Sequence, residues 1–196
     1  MTLARRLRRD ARGATAVEFA AIAPALLLVV LGLMDLGYNI YATSLLEGAV
    51  HKAGREATIE GAETRGLAID NGVRAAVGDI APNAEVSFSR RAYIDFSDVD
   101  QPEEFTDTNE DGICNEGEPF EDANANGSWD EDRGSADMGG ARDAVLYSVT
   151  VSYPRAFPAM RLFGFSDRVT ATAHTVLRNQ PYGPQNQAMA VGNCTE

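Results

Sequence analysis

The sequence predicts an α+β protein. One long N-terminal helix, membrane-crossing in its first half, carries a small antiparallel β-sheet head with an acidic loop insert. Three observations support this. Residues Phe19 to Met34 are apolar without a charged residue among them. From Glu85 onward apolar residues alternate with polar ones, the period of half-buried strands. Between two such strands, residues 98–137 concentrate acidic side chains.

The helix comes first. Arg5, Arg6, Arg8, Arg9 and Arg12 stand just before the apolar run. At a rise of roughly 1.5 Å per residue, Ala14 to Met34 is long enough, at about 20 residues, to cross a bilayer core. The arginines predict a cytoplasmic leader over residues 1–13, with everything after the span exported. Leu45, Leu46, Ala49, Val50, Ala53 and Ala57 continue at helical spacing. Residues 14–60 therefore read as one helix, a membrane stem followed by an amphipathic spine. Pro24 removes a backbone donor and predicts a bend in the stem. Asp35, near the outer end of the span, reads as a boundary residue reaching water.

The exported head occupies residues 61–180. Gly61 to Gly66 predicts a break. Leu67 to Ile80 predicts a second helix, with Ile69, Val73, Val77 and Ile80 on one face. Val86, Phe88, Ala92, Ile94 and Phe96 mark a first strand. Ala144–Tyr153 marks a second, with Val145, Tyr147, Val149, Val151 and Tyr153 on one side. Arg168–Arg178 marks a third, after a short helical turn around Ala159–Phe163. Residues 181–196, with Pro181, Gly183 and Pro184, read as an irregular tail. A long helix on a small antiparallel sheet is an α+β arrangement.

The net charge is −12. The leader holds five Arg against Asp10, which leaves 12 basic and 28 acidic residues, a charge of −16, in the rest. An acidic exported part offers no attraction to nucleic acid and suits a divalent cation. The chain has two cysteines, Cys114 and Cys194. In an oxidising compartment such a pair commonly becomes a disulfide, here joining the tail to the acidic insert. Two free thiols is the other reading.

The acidic insert has order in it. Asp107 to Glu118 fits D-x-[DN]-x-[DN]-G-x5-E at every required place. Calcium takes about six to eight hard oxygens around a tight turn. Asp107, Asn109 and Asp111 supply side-chain oxygens and Gly112 permits the turn. Ile113 offers its carbonyl, Asn115 acts directly or through water, and Glu118 can be bidentate. A second loop follows with Asp122, Asn124, Asn126, Gly127, Ser128 (carbonyl) and Asp130. Its twelfth place is Arg133, which binds no cation, so Asp132 is the candidate there. The loops start 15 residues apart, which leaves no room for EF-hand helices. Helix-poor calcium loops, such as those of dockerins or thrombospondin-type repeats, are the better resemblance. A solvated acidic insert with Asn-Gly turns is the alternative. The expected cofactor is Ca2+, in a structural role.

No enzyme is expected. His51 and His174 form no metal-binding spacing, and no nucleophile motif, P-loop or dinucleotide fingerprint accompanies them. Tyr93, Phe96, Tyr147, Tyr153, Phe157 and Phe163 fall at core spacing.

Glu18 is the unusual residue of the stem, because a carboxylate in hydrocarbon is costly and usually functional. Gly13, then Ala14 opening a helix with Glu18 at its fifth place and Phe19 after it, resembles the processing site of type IV pilin-like proteins. A cleaved secretory signal lacks its small-residue cleavage site here, and a plain signal anchor is the other alternative. With Val17-Glu18-Phe19-Ala20, Pro24, Gly32, Asp35, Gly37 and the patch around Arg55, the stretch is similar to the TadE-like family. These are minor pseudopilins of the tight-adherence (Tad or Flp) pilus. Tyr38 stands where that family usually has an arginine. The resemblance covers about the first 60 residues. It implies a pilin-like fold and cutting at Gly13–Ala14 by a prepilin peptidase. It implies an inner-membrane stem with a periplasmic head. Partners would be other pilin or pseudopilin stems and the pilus assembly platform. The contrasting reading is a stand-alone, membrane-anchored calcium-binding adhesin or surface-binding module.

Overall fold

The computed structural model describes residues 14–57, 62–157, 160–161, 164–179 and 189–195. Contacts divide the chain into two compact units. One is the chain up to Tyr41 with Pro154–Val169; the other is Ala42–Tyr153 with the residues from Thr170 onward.

Helix α1, Ala14–Ala57, is continuous over 44 residues and runs through Pro24. It is long and apolar enough to cross a membrane. Helix α2 spans Ala62–Gly78. Gly66 lies inside it, where the sequence predicted a break; Gly61 lies outside the described residues. Ile69, Val73 and Val77 are buried, and their packing outweighs the cost of about 1 kcal/mol for a glycine within a helix.

Three strands form the main sheet: β1 (Glu85–Tyr93), β3 (Ala144–Pro154) and β4 (Arg168–Arg178), in the order β1-β3-β4. The pairing of β1 with β3 is antiparallel, from Glu85 opposite Ser152 to Tyr93 opposite Ala144. β3 is central, so Tyr147, Val149, Val151 and Tyr153 alternate into the core as buried residues. β1 ends earlier than the alternation suggested. Asp95 and Asp98 divert the chain into a 3-10 turn, Phe96–Asp98, where the Asp95 N–H donates to Asp98 Oδ2 at 3.1 Å. Phe96 is consequently 50 % exposed rather than in the core.

In the larger unit, Ala42, Leu46, Val50 and Ala53 form the buried stripe of α1. A small cavity lined by Ala42, Leu46, Val77, Ala81, Val151 and Tyr153 shows both helices meeting the sheet there. Gly54 allows the approach to β4: a Cβ on it would lie 2.5 Å from Leu177 Cδ1 and 2.6 Å from Thr175 Cγ2. One buried polar group ties α2 to the sheet. Tyr147 Oη donates to Asp70 Oδ1 at 2.8 Å, and Arg90 pairs with the same carboxylate.

The tail is not irregular throughout. β5, Ala190–Asn193, pairs antiparallel with β2, Pro119–Asp122, inside the acidic insert. Residues 181–188 lie outside the described residues. So do Ala159, Leu162 and Phe163 of the expected turn, while Met160 and Arg161 are in 3-10 conformation.

In the smaller unit the expectation for Asp35 is overturned. It is 2 % exposed, not a boundary residue open to water. Arg155, just after β3, forms an ion pair with it, and Asn39 Nδ2 donates to it at 3.2 Å. A carboxylate this buried needs a cation, and the chain supplies one.

Candidate functional site

The acidic insert is built around β2. On one side β2 pairs with β5. On the other, Thr106 N–H donates to the Pro119 carbonyl at 2.9 Å, Glu121 N–H donates to the Glu104 carbonyl at 2.8 Å, and Phe105 bridges Phe120. Phe120 is buried against Gly192, where a Cβ would lie 2.3 Å from the ring. Cys114 and Cys194 are joined in a disulfide with Cα atoms 5.3 Å apart. Gly117 N–H donates to the Cys194 carbonyl at 3.1 Å, and Cys194 N–H to the Glu118 carbonyl at 2.8 Å. The tail is thus fastened to the end of the first loop.

The two loops repeat one geometry. In the first, Asp107 accepts the N–H groups of Asp111 and Gly112, at 3.2 and 2.8 Å. In the second, Asp122 accepts those of Asn126 and Gly127, at 3.1 and 2.9 Å. Asn109 Oδ1 accepts from Asp111 N–H as Asn124 Oδ1 does from Asn126 N–H. Asp111 Oδ1 accepts from Ile113 N–H as Asn126 Oδ1 does from Ser128 N–H. The backbone turns alike. Glu110 and Ala125 have φ of 62° and 58°, and Gly112 and Gly127 have 77° and 81°. The left-handed region strains a Cβ, which is why the motif needs Gly at the sixth place.

In each loop the side chains of the third, fifth and ninth places come together. Asn109 Nδ2 reaches Asp111 and Asn115, and Asn115 Nδ2 reaches Asp111. Asn124 and Asn126 both reach Asp130 Oδ2, at 2.8 and 2.6 Å. Every donor atom that these positions offer a cation is a hard oxygen, which suits calcium and not a soft metal. Among the described residues, no group of three or more His, Cys, Asp or Glu side chains is drawn together as a metal cage. Asn amides and backbone carbonyls make up the rest of the candidate donors.

The first loop is closed by Glu118, 3 % exposed. Its Oε1 accepts the Thr108 N–H at 2.6 Å and its Oε2 the Asn115 N–H at 3.4 Å, the second and ninth places of the loop. The second loop has an equivalent that the sequence did not reveal. Glu103, 1 % exposed, accepts the Ala123 N–H on Oε1 at 2.8 Å and the Asp130 N–H on Oε2 at 3.1 Å. Those are again the second and ninth places. Glu103 reaches them from upstream of both loops, because residues 104–106 run alongside β2. Its carbonyl also accepts from Trp129 Nε1 at 2.8 Å, and Trp129 stands edge-on to Phe105.

Asp132, the expected closing ligand, is directed elsewhere. Arg91 forms an ion pair with its Oδ2, and Gly134 N–H donates to its Oδ1 at 3.1 Å. Arg133, the formal twelfth residue, faces Asp98 and Glu121 at 3.8 and 3.6 Å.

Electrostatics separate the two closing carboxylates. The Thr108 N–H holds the Glu118 carboxyl below its usual range, assisted by the Thr108 hydroxyl and the Asn115 and Asn109 N–H groups. Glu103 is pushed up, chiefly by burial and further by the charges of Asp122 and Asp130. Asp111 is held down, first by the Asn115 side chain and then by the Ile113 N–H.

The other candidate residues lie on the stem. Ala14 is the first residue of α1, and Gly13 lies outside the described residues. Glu18 and Phe19 are exposed on the helix. His51 and His174 are exposed on α1 and β4.

No curated protein and no solved structure matches the chain. A family model does: the one described as TadE-like protein matches residues 13–55, from the glycine before α1 to Arg55 near its end. That segment carries the stem, Glu18 and Asp35. Over residues 13–55 this chain is similar to TadE-like proteins.

Proposed function

We propose that this protein is a minor pseudopilin that serves assembly of a tight-adherence pilus, with a calcium-stabilised exported head and no enzymatic activity. The observation that carries the assembly role is the TadE-like match over residues 13–55 together with a helix that begins at Ala14 and exposes Glu18 on an apolar surface. A prepilin peptidase cuts after Gly13 and leaves the helix on the mature protein. The five arginines keep the leader cytoplasmic and the head periplasmic. Glu18 then needs a cation inside the bilayer, and the terminal amine of a neighbouring stem is of the right charge. The test is Glu18→Ala. Membrane insertion is retained and pilus assembly fails; normal piliation by this variant would remove the pairing role.

Calcium in the head has its support in the repeated loop geometry and in the oxygen donor set. The first ion takes Asp107, Asn109, Asp111, the Ile113 carbonyl, Asn115 and Glu118. The second takes Asp122, Asn124, Asn126, the Ser128 carbonyl and Asp130, with Glu103 as the closing carboxylate in place of Asp132. The negative charges around Glu103 are of the kind that a divalent cation relieves. The ions hold β2 and its neighbours in place and supply no reaction chemistry.

A further inference from the structure

The segment between β3 and β4 returns to the stem within the smaller unit. It touches the stem at two points. Arg155 pairs with Asp35, and Met160 Sδ lies 3.5 Å from where a Cβ on Gly32 would stand. Gly32 and Asp35 are one turn apart and lie on either side of Met34, the last residue of the apolar run. A segment held to these residues sits at the outer boundary of a membrane-crossing stem.

Its side chains match that level. Phe165 is 52 % exposed and Phe157 is half-buried. Exposed Arg161 pairs with Asp167 and Arg155 stacks on Phe165, its guanidinium carbon 5.6 Å from the ring centre. Residues 155–168 hold Arg155, Arg161 and Arg168 against Asp167 alone, in an exported part that is otherwise strongly acidic. Phenylalanines with arginines beside them are the composition of segments that lie in a membrane–water interface, the rings in the acyl boundary and the arginines at the headgroups. An arginine guanidinium has five N–H donors, more than one carboxylate takes up, so Arg161 can hold Asp167 and a phosphate oxygen together.

We infer that this segment is a second membrane contact, an interfacial anchor that rests on the outer leaflet of the bilayer the stem crosses. Phe165 and Phe157 enter the acyl boundary, and Arg161 stays at the level of the lipid phosphates. Arg155 does not face the lipid; it fixes the segment to the stem through Asp35. The inference rests on the reading of α1 as a membrane span, and its consequence is that the stem cannot rotate freely beneath the segment.

The test is photo-crosslinking of the full chain in vesicles of phosphatidylethanolamine and phosphatidylglycerol. p-Benzoylphenylalanine replaces Phe165 in one sample and Leu26, mid-stem and exposed, in another. Lipid adducts at both positions are expected, and the adduct at Phe165 falls when Arg161→Gln is added. A lipid adduct at Leu26 with none at Phe165, or with a protein adduct at Phe165, overturns this inference and leaves the span intact. No lipid adduct at Leu26 overturns the span and the inference with it.

Discussion

Arg155 and Asp35, 120 residues apart in the chain, form a buried ion pair where the apolar run of α1 ends, just after Met34. The pair explains how an acidic residue is tolerated beside a run of leucine, valine and glycine. It also fixes where the segment after β3 returns to the stem. One Asp35 oxygen, Oδ1, is buried without a hydrogen-bond partner, so the carboxylate depends heavily on Arg155 and Asn39.

Removing one partner of a buried pair leaves an uncompensated charge and costs about 3–5 kcal/mol. Arg155→Ala should destabilise the protein in that range, as read from denaturant unfolding in detergent. The double variant Arg155→Ala with Asp35→Asn should lose clearly less than the sum of the two. Additive losses would mean that the pair does not couple.

The equivalence of Glu103 and Glu118 makes a sharper test of the loops. Calorimetric titration with calcium should show Glu118→Gln losing the ion of the first loop and Glu103→Gln that of the second. Asp132→Asn should keep both. At calcium a hundredfold above the dissociation constant the fold should gain about 2.7 kcal/mol per site. Trp129 donates to the Glu103 carbonyl, so its emission should report filling of the second loop. Two ions still bound by Glu103→Gln would remove Glu103 from the second site, and a single ion bound by the parent protein would return that loop to a solvated turn.

The disulfide closes 80 residues between Cys114 and Cys194. The chain-entropy account gives about 4–5 kcal/mol for a loop of that size. Reduction, or Cys114→Ser with Cys194→Ser, should lower the melting temperature and first release β5 from β2. Hydrogen exchange should show faster exchange at Phe120 and Cys194 while β3 stays protected. Uniform loss of protection would show that the insert and the sheet unfold together.

The fold was most legible where the pattern is local. The alternation of Val145, Tyr147, Val149, Val151 and Tyr153 marks β3, and the spacing of Leu46, Val50 and Ala53 marks the buried face of α1. Both depend on neighbours within a few residues. The turn geometry of the first loop was legible for the same reason, since the motif lies in twelve consecutive places. What stayed hidden was set by distant partners. Nothing near Asp35 announces Arg155. Glu103 looks like one more acid in an acidic run, and only the course of residues 104–106 beside β2 brings it under the second loop. Nothing near Asp132 in the chain announces its ion pair with Arg91 of β1. β2 is four residues long and begins with proline, so it reads as a turn until β5 is placed next to it.

Two tyrosines provide a pH test. Burial, then the nearby Asp132 carboxylate, pushes Tyr93 up from 10.0 to about 12. Burial, then the hydrogen bond to Asp70, pushes Tyr147 up as well. Both folded-state values lie above the unfolded one. Their contribution is therefore complete below pH of about 10 and is lost as pH rises through the folded values. Absorbance titration should show these two phenols ionising only as the protein unfolds. Tyr147→Phe should remove one late-titrating group and cost about 1 kcal/mol through the lost bond to Asp70. A Tyr147 that ionised with the fold intact would contradict its burial against α2.

The pseudopilin assignment turns on whether the chain is cut at Gly13–Ala14. The decisive measurement is the intact mass and N-terminal residue of the protein from membranes of cells with and without the prepilin peptidase. The expected result is a chain beginning at Ala14 when the peptidase is present and retaining residues 1–13 when it is absent. A chain that still carries the arginine leader in both cells would contradict the pseudopilin assignment.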